Sequence, residues 1–423
     1  MRVSKLLVAA PATLIGCSSL LDYDAIEFHD RPADDAGGTG GSGGDDAASG
    51  GGGTAGDTGG TAGSAGNMGG TGGAGGMGST GGTSGSAGAP DGSGGSTGGA
   101  GGSPDPCASV TCGANQHCDP SSLQCVCNPG FVSNGSGCEP ALPGDPSTHT
   151  QQEVCDHWNQ GHQLSDPSPW STTSSDECDP GELTRAGIDD TLARIAMFRW
   201  LVGLGPVNDD PALDEMNMWC AVVSSWNPPS GGYNPHSPDP SRKCYTAEGA
   251  SGAGQSNIAW GSGHPAQAID QFIEDWGNET TMGHRRWIFN PPLGPVGIGY
   301  YAGGGAYGDA ECLAVFGSSG TGPWPEWISF PPPGYFPVEI ASWMWTFHAN
   351  ASVSGATMTV IRQSDSQTLA MQKIPLQGGY GSYATVGFRP DGWAVAAGET
   401  YVVAVDGVGA GTITYELRPV TCY

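Results

Sequence analysis

The sequence predicts an α+β protein: a small disulfide-rich module, a helix-rich central domain and an all-β end, carried on a long glycine-rich arm. Three observations lead there. Six cysteines crowd between Cys107 and Cys138. Two stretches with helical spacing, 183–204 and 209–226, precede short β-like runs separated by glycines. Beyond residue 340 the apolar pattern changes to period two.

From the N-terminus, Arg2 and Lys5 precede an apolar run, Leu6-Leu7-Val8-Ala9-Ala10, that continues to Leu14-Ile15. This is the shape of a secretory signal and is too short to span a bilayer. Leu14-Ile15-Gly16-Cys17 resembles the bacterial lipobox, which implies cleavage after Gly16 and lipidation of Cys17. The lipid chains would anchor the protein without a spanning helix. The 74 glycines are concentrated before residue 103, and 36–103 is Gly, Ser, Thr and Ala with scattered Asp. Such a stretch cannot build a core and reads as a disordered tether. Treated as a Gly-rich coil of ~68 residues, its mean reach is about 40–50 Å.

The charge balance is acidic, 14 Lys and Arg against 42 Asp and Glu, a net charge of −28. That argues against long-range attraction to nucleic acid or to an anionic membrane surface. Setting Cys17 aside, the thirteen cysteines leave an even twelve, which indicates disulfides and an exported, oxidising compartment.

Cys107, Cys112, Cys118, Cys125, Cys127 and Cys138 lie too close in sequence to surround a hydrophobic core, so disulfides must stabilise this module. Fifteen pairings are open to six cysteines. The Cys125-Val126-Cys127 step followed by Gly130-Phe131 resembles an epidermal-growth-factor-like module. That resemblance implies Cys107–Cys118, Cys112–Cys125 and Cys127–Cys138. Calcium-binding members carry an acidic cluster before the first cysteine. Here only Asp105 stands there, between prolines, and no calcium is expected.

Ile188, Leu192, Ile195, Phe198 and Leu201 recur at helical spacing over 183–204, which Gly203 and Gly205-Pro206 stop. Asp210-Pro211 starts a second helix, reaching about Trp226. A third starts near His264-Pro265 and includes Ile269, Phe272 and Ile273. Val296–Tyr301 and Glu311–Phe316 read as two strands joined by a glycine-rich turn.

In order along the chain stand Phe198-Arg199-Trp200-Leu201-Val202-Gly203, then His236-Ser237, Gln255-Ser256-Asn257-Ile258, Gly283-His284-Arg285 and Gly297-Ile298-Gly299. Together they resemble the CAP superfamily of cysteine-rich secretory, antigen-5 and pathogenesis-related proteins, over about 179–320. The resemblance implies an αβα sandwich with a cleft holding two histidines and two acids, often with a divalent cation such as zinc. By position the histidines are His236 and His284. Ser256 stands where the first acid belongs, and the second falls on Glu274 or Asp275, with spacing favouring Asp275. Imidazole and carboxylate suit zinc, but a serine hydroxyl is a poor ligand. Only a weakly held divalent cation is expected.

There is no Gly-X-Ser-X-Gly elbow and no His-Glu-X-X-His helix. The CAP resemblance implies binding of a lipid, glycan or protein in preference to catalysis. The alternatives are a metal-assisted hydrolase in the same cleft and a structural envelope protein.

Among the remaining cysteines the expected pairs are Cys155–Cys178, Cys220–Cys244 and Cys312–Cys422. Residues 324–337, rich in proline and aromatics, read as an extended connector. The alternations at Trp343/Trp345/Phe347, Tyr401/Val403/Val405 and Ile413/Tyr415/Leu417 predict a β-sandwich of immunoglobulin or fibronectin size. The boundaries are then 1–16 signal peptide, 17–103 tether, 104–140 module, 145–322 central domain and 323–423 sandwich. The expected product is an exported monomer, anchored through Cys17 to the bacterial envelope at the outer membrane or cell surface.

Overall fold

A computed structural model describes residues 106–422 apart from 108, 120, 228, 230–232, 307, 318–321, 342 and 410. Cys17, the signal segment and the tether lie outside the described residues. The cysteine module forms two antiparallel ribbons, β1 (Gln116–Asp119) with β2 (Gln124–Cys127) and β3 (Phe131–Ser133) with β4 (Cys138–Pro140). Its bridges are Cys107–Cys118, Cys112–Cys125 and Cys127–Cys138, the pairing named above. The module packs on the next domain through polar groups. Asn128 Nδ2 donates to Asn208 Oδ1 at 2.9 Å, Asn208 Nδ2 donates to Asn115 Oδ1 at 2.7 Å, and His117 Nε2 lies 3.0 Å from Asp189.

The central domain opens with a helix that periodicity did not reveal, α1 (Gln151–Gly161), started by a Thr150/Glu153 capping box. A two-residue ribbon, β5 (Trp170–Ser171) with β6 (Glu182–Leu183), leads to α2 (Arg185–Leu201) and α3 (Pro211–Trp226). Asp210 caps α3 by accepting from Ala212 N, and Pro211 fills the first turn, where its missing N–H costs nothing. Next come α4 (Ala247–Ala253), β7 (Ser256–Trp260), α5 (Pro265–Glu274), the single-turn-and-a-half α6 (Gly283–Ile288), β8 (Gly297–Gly305) and β9 (Gly308–Ala314). The strands form one antiparallel sheet in the order β7-β9-β8.

Successive side chains of β9 take opposite faces. Cys312 meets Cys220 of α3, whereas Leu313 joins Leu192 and Ile195 of α2 and Ile269 and Phe272 of α5 in the main core. Helices therefore cover both faces. Close approach of α3 requires glycine: a Cβ at Gly299 would lie 2.0 Å from the Asn217 carbonyl. Asn217 also donates to the carbonyls of Gly297 and Cys312, fixing the helix on the sheet.

The three remaining bridges correct the expected pairs. They are Cys155–Cys422, Cys178–Cys244 and Cys220–Cys312. Proximity in sequence misled, because α3 turns Cys220 inward against the central strand and away from the loop that holds Cys244. Among the described residues no helix is long and apolar enough to cross a membrane.

Residues 324–337 correct a second expectation. They are not a connector but two strands, β10 (Trp327–Phe330) and β11 (Gly334–Pro337), with prolines confined to the turn and the ends. β10 starts a four-stranded antiparallel sheet with β12 (Trp345–Ala349), β16 (Ala384–Pro390) and β15 (Met371–Pro375), in the order β10-β12-β16-β15. β11 pairs in parallel with β18 (Ile413–Val420) and heads a five-stranded sheet that continues through β17 (Tyr401–Asp406), β13 (Thr357–Arg362) and β14 (Gln367–Leu369). Phe347, Phe388, Val403 and Leu417 from both sheets belong to one buried cluster. Trp343 falls outside the strands. Among the described residues this is a mixed α+β protein with several small sheets and six disulfides.

Candidate functional site

His236 and His284 line one cleft together with Ser256, Asn257, Asn278, Trp287, Phe316 and Tyr380. It measures about 350 Å³ counting space open to solvent, but only about 20 Å³ admits the centres of water-sized molecules. That is room for one or two small polar groups at the base.

His236 enters from the loop between α3 and α4. Asn234 Oδ1 accepts from His236 N at 2.9 Å, an Asx turn that sets the backbone. The imidazole Nδ1 lies 3.0 Å from Ala253 O. A carbonyl only accepts, so Nδ1 carries the proton and donates. Ala253 is the last residue of α4, and its carbonyl is among those a helix end leaves without an intrahelical partner. Burial pushes the His236 imidazole down to about 4, so the ring is neutral at physiological pH.

His284 is the second residue of α6, whose N-cap Met282 is held at φ 48°. Its Nδ1 lies 3.0 Å from Asp275 Oδ1. Asp275 is fully buried and sits at the C-cap of α5 in the left-handed region, φ 52°, a conformation Asp tolerates better than most residues. The turn aims the carboxylate at α6, where Oδ2 also lies 3.4 Å from Arg285 N. Asn278 Nδ2 donates to Asp275 Oδ1 at 2.7 Å. Asp275 is thus the acid against the histidine. Glu274 uses its backbone carbonyl to accept from Trp343 Nε1 at 3.0 Å, and it does not line the cleft. Both Nδ1 atoms are thus committed to these partners.

Ser256 starts β7. Its Oγ donates to Gly252 O at 2.7 Å and lies 3.2 Å from Asn217 Oδ1. The hydroxyl therefore serves the α4–β7 junction, and its proton goes to a helix carbonyl and not to an imidazole. Among the described residues no group of three or more His, Cys, Asp or Glu side chains is disposed to hold a metal ion. Two imidazoles, with Asp275 acting behind one of them, do not fit a tightly held zinc, which takes at least three protein ligands.

Sequence reasoning missed the remaining wall. Tyr380, from the loop between β15 and β16, is 6% exposed and lies over Gly283, where a Cβ would come within 2.6 Å of its ring. That loop is fastened to the α6 segment. Gln377 N donates to Thr280 O at 2.8 Å, Arg286 Nη1 donates to Gln377 O at 2.6 Å, and Ser382 N and Oγ donate to Asn290 Oδ1 at 2.9 and 2.7 Å. Gly283 was the available signal: a residue that must lack a side chain beside a site histidine marks a close neighbour. Trp287 and Phe316, with ring centroids 4.8 Å apart, form the opposite rim.

No family model matches this chain, and neither the curated proteins nor the solved structures contain a match to it.

Proposed function

We propose that this chain is an exported, lipid-anchored binding protein with a CAP-like central domain, and that its ligand is held at the His236/His284 cleft. One observation carries the reading. Two imidazoles from separate loops are brought to one cleft, each oriented by a partner at Nδ1. Helices on both faces of a three-stranded sheet support the CAP-like αβα assignment. The paired ribbons with their three bridges support the epidermal-growth-factor-like one. The two C-terminal sheets sharing a core support an immunoglobulin- or fibronectin-like sandwich. The lipobox-like Cys17 and the glycine-rich arm support display at the cell surface, away from the membrane.

The base of the cleft is too narrow to swallow an acyl chain or a sterol. A lipid, glycan or protein would engage it by one small group while lying across the Trp287/Phe316 rim. Catalysis is disfavoured, since the Ser256 hydroxyl is turned from both histidines.

Native mass spectrometry of protein purified from its own envelope tests the reading. A bound species retained by the wild type and lost from His236→Ala and His284→Ala is expected. Equal retention by the variants would remove the cleft from the account. For the anchor, Cys17→Ala is expected to leave the membrane fraction, and its persistence there would refute lipidation.

A further inference from the structure

The cysteine module is seated on the central domain by a chain of side-chain amides, each of which fixes the orientation of the next. Cys138 O can only accept, so Asn115 presents Nδ2 to it at 3.0 Å and keeps Oδ1 as an acceptor. Asn208 Nδ2 donates to that Oδ1 at 2.7 Å, which leaves Asn208 Oδ1 to accept from Asn128 Nδ2 at 2.9 Å. Asn128 Oδ1 is therefore an acceptor, and it lies 3.0 Å from His117 Nδ1. Across the ring, His117 Nε2 lies 3.0 Å from Asp189 Oδ2. Asp189 Oδ1 accepts from Arg185 Nε at 3.0 Å and from Nη2 at 2.7 Å, as an ionised carboxylate does. Both ring nitrogens thus face acceptors, and a neutral imidazole has one proton to give. The two bonds coexist only on an imidazolium. The hydrogen bond to Asp189 is the main cause that holds the His117 pKa above the ordinary 6.5, against the burial that lowers it.

We propose that His117 is a proton-operated latch between the cysteine module and the central domain, closed while both ring nitrogens carry protons and one bond weaker when they do not. None of its residues lines the His236/His284 cleft. The charges around it agree. With His117 protonated, His117 and Arg185 balance Asp189 and Asp209, the second carboxylate on Arg185. Without that proton the group keeps an extra negative charge in a seam where the His117 and Asp189 side chains are 17% and 20% exposed. Asp214 bonds to Asp209 and is driven up to about 8 by burial. Asp119, two residues along β1, is taken up by the hydroxyls of Ser121 and Ser122, and Val126, opposite His117 on β2, brings no charge. Because the folded pKa lies above 6.5, the latch contributes fully below pH 6.5 and is lost as pH rises through the folded value. Asn128 leads into Pro129 and Gly130. A Cβ at Gly130 would lie 2.5 Å from Pro206 Cβ, so the module rests directly on the segment between α2 and α3. Pro129 and Gly130 also form part of the module's side of a second cleft of about 680 Å³, counting space open to solvent, with Met197, Trp200 and Leu204 facing them. Loss of the proton frees this edge of the module and widens that cleft.

NMR of the full chain tests the latch. Nitrogen–proton spectra of the His117 ring are expected to show protons at both nitrogens at pH 6 and titration above 6.5. Hydrogen exchange of the module amides, corrected for the chemical exchange rate, is expected to quicken by roughly three- to tenfold between pH 6 and pH 9, the loss of one hydrogen bond. In His117→Gln, whose side chain does not titrate, that extra pH dependence is expected to vanish, while any part due to Asp214 remains. Asp189→Asn keeps the test alive if His117→Gln unfolds: it removes the ionised acceptor, and the His117 ring is expected to hold its proton roughly tenfold more weakly. A ring with one proton at pH 6, titration below 6.5, unchanged proton affinity in Asp189→Asn, or equal pH dependence of module exchange in the wild type and His117→Gln would each overturn the proposal.

Discussion

The two histidines of the cleft are held by different parts of the molecule. His236 belongs to the central domain throughout: its loop is set by Asn234, tied down by Cys178–Cys244, and its ring is bonded to the end of α4. His284 rides on a helix of six residues, too short to be stable alone, that is anchored both by α5 and by the C-terminal sheets. Arg285, fully buried, donates to Ile273 O at 2.6 Å and to Met344 O at 2.7 Å, and Arg286 reaches the Tyr380 loop. One histidine is thus positioned by a covalent loop closure, and the other by α5 and the C-terminal sheets together. The loop between β15 and β16 is a wall of the cleft as well as a support.

Breaking the second support should have the largest effect. Arg285→Ala leaves carbonyls at the seam without donors and removes a buried side chain. A loss of about 3–5 kcal/mol is expected in chemical denaturation. Burial lowers the Arg285 guanidinium to about 10, so it remains charged at neutral pH and Arg285→Lys should not rescue the forked contacts. Breaking the first support comes next. Joint replacement of Cys178 and Cys244 by alanine opens a closure of 66 residues, for which the chain-entropy model gives roughly 4 kcal/mol. A fall of about 2–4 kcal/mol is expected in thermal melts. Carbethoxylation of His236 should quicken while that of His284 changes little.

A third change addresses the sheet that both supports share. Glu311 is fully buried on β9, neither carboxyl oxygen has a hydrogen-bond partner, and burial holds its pKa well above the usual range. A raised folded pKa means that stability is fullest below the unfolded value near 4.5 and is lost as pH rises toward the folded value. Glu311→Gln should therefore gain about 1 kcal/mol at pH 8 and nothing at pH 4. A flat difference across that range would contradict the assignment. The smallest expected effect is Ser382→Ala, at about 0.5 kcal/mol, because the backbone N–H still donates to Asn290. Its use is diagnostic: faster carbethoxylation of His284 without change at the deeply buried His348 would show the Tyr380 loop, and not unfolding, controlling access.

Much of this was legible in the sequence where local chemistry decides structure. Asp210-Pro211 and His264-Pro265 announced two helices, and the alternations at 401–405 and 413–417 announced strands. What failed was set by tertiary packing. The six residues of α6 are too few to display a period. Cys220 finds Cys312 only once α3 lies on the sheet, an approach that Gly299 permits but no spacing reveals. The Pro-rich run at 331–333 disguised two strands on either side of it. For the site, the CAP resemblance pointed to His236 and His284 and left the acid between Glu274 and Asp275, and the two imidazoles do line one cleft. Asn278 and Tyr380 could not be named, because one matters by donating to Asp275 and the other arrives from the loop between β15 and β16, about a hundred residues on from Gly283.

Side-chain NMR of the His236 imidazole across pH tests the central claim most directly. The expected result is a neutral ring protonated at Nδ1 that begins to titrate only near pH 4. Because its folded pKa lies below the unfolded 6.5, its contribution to stability is complete above that pH and is lost as pH falls toward 4. An imidazole that titrates near 6.5, or that carries its proton at Nε2, would mean that the ring is not held against Ala253 and that the cleft is not built as described.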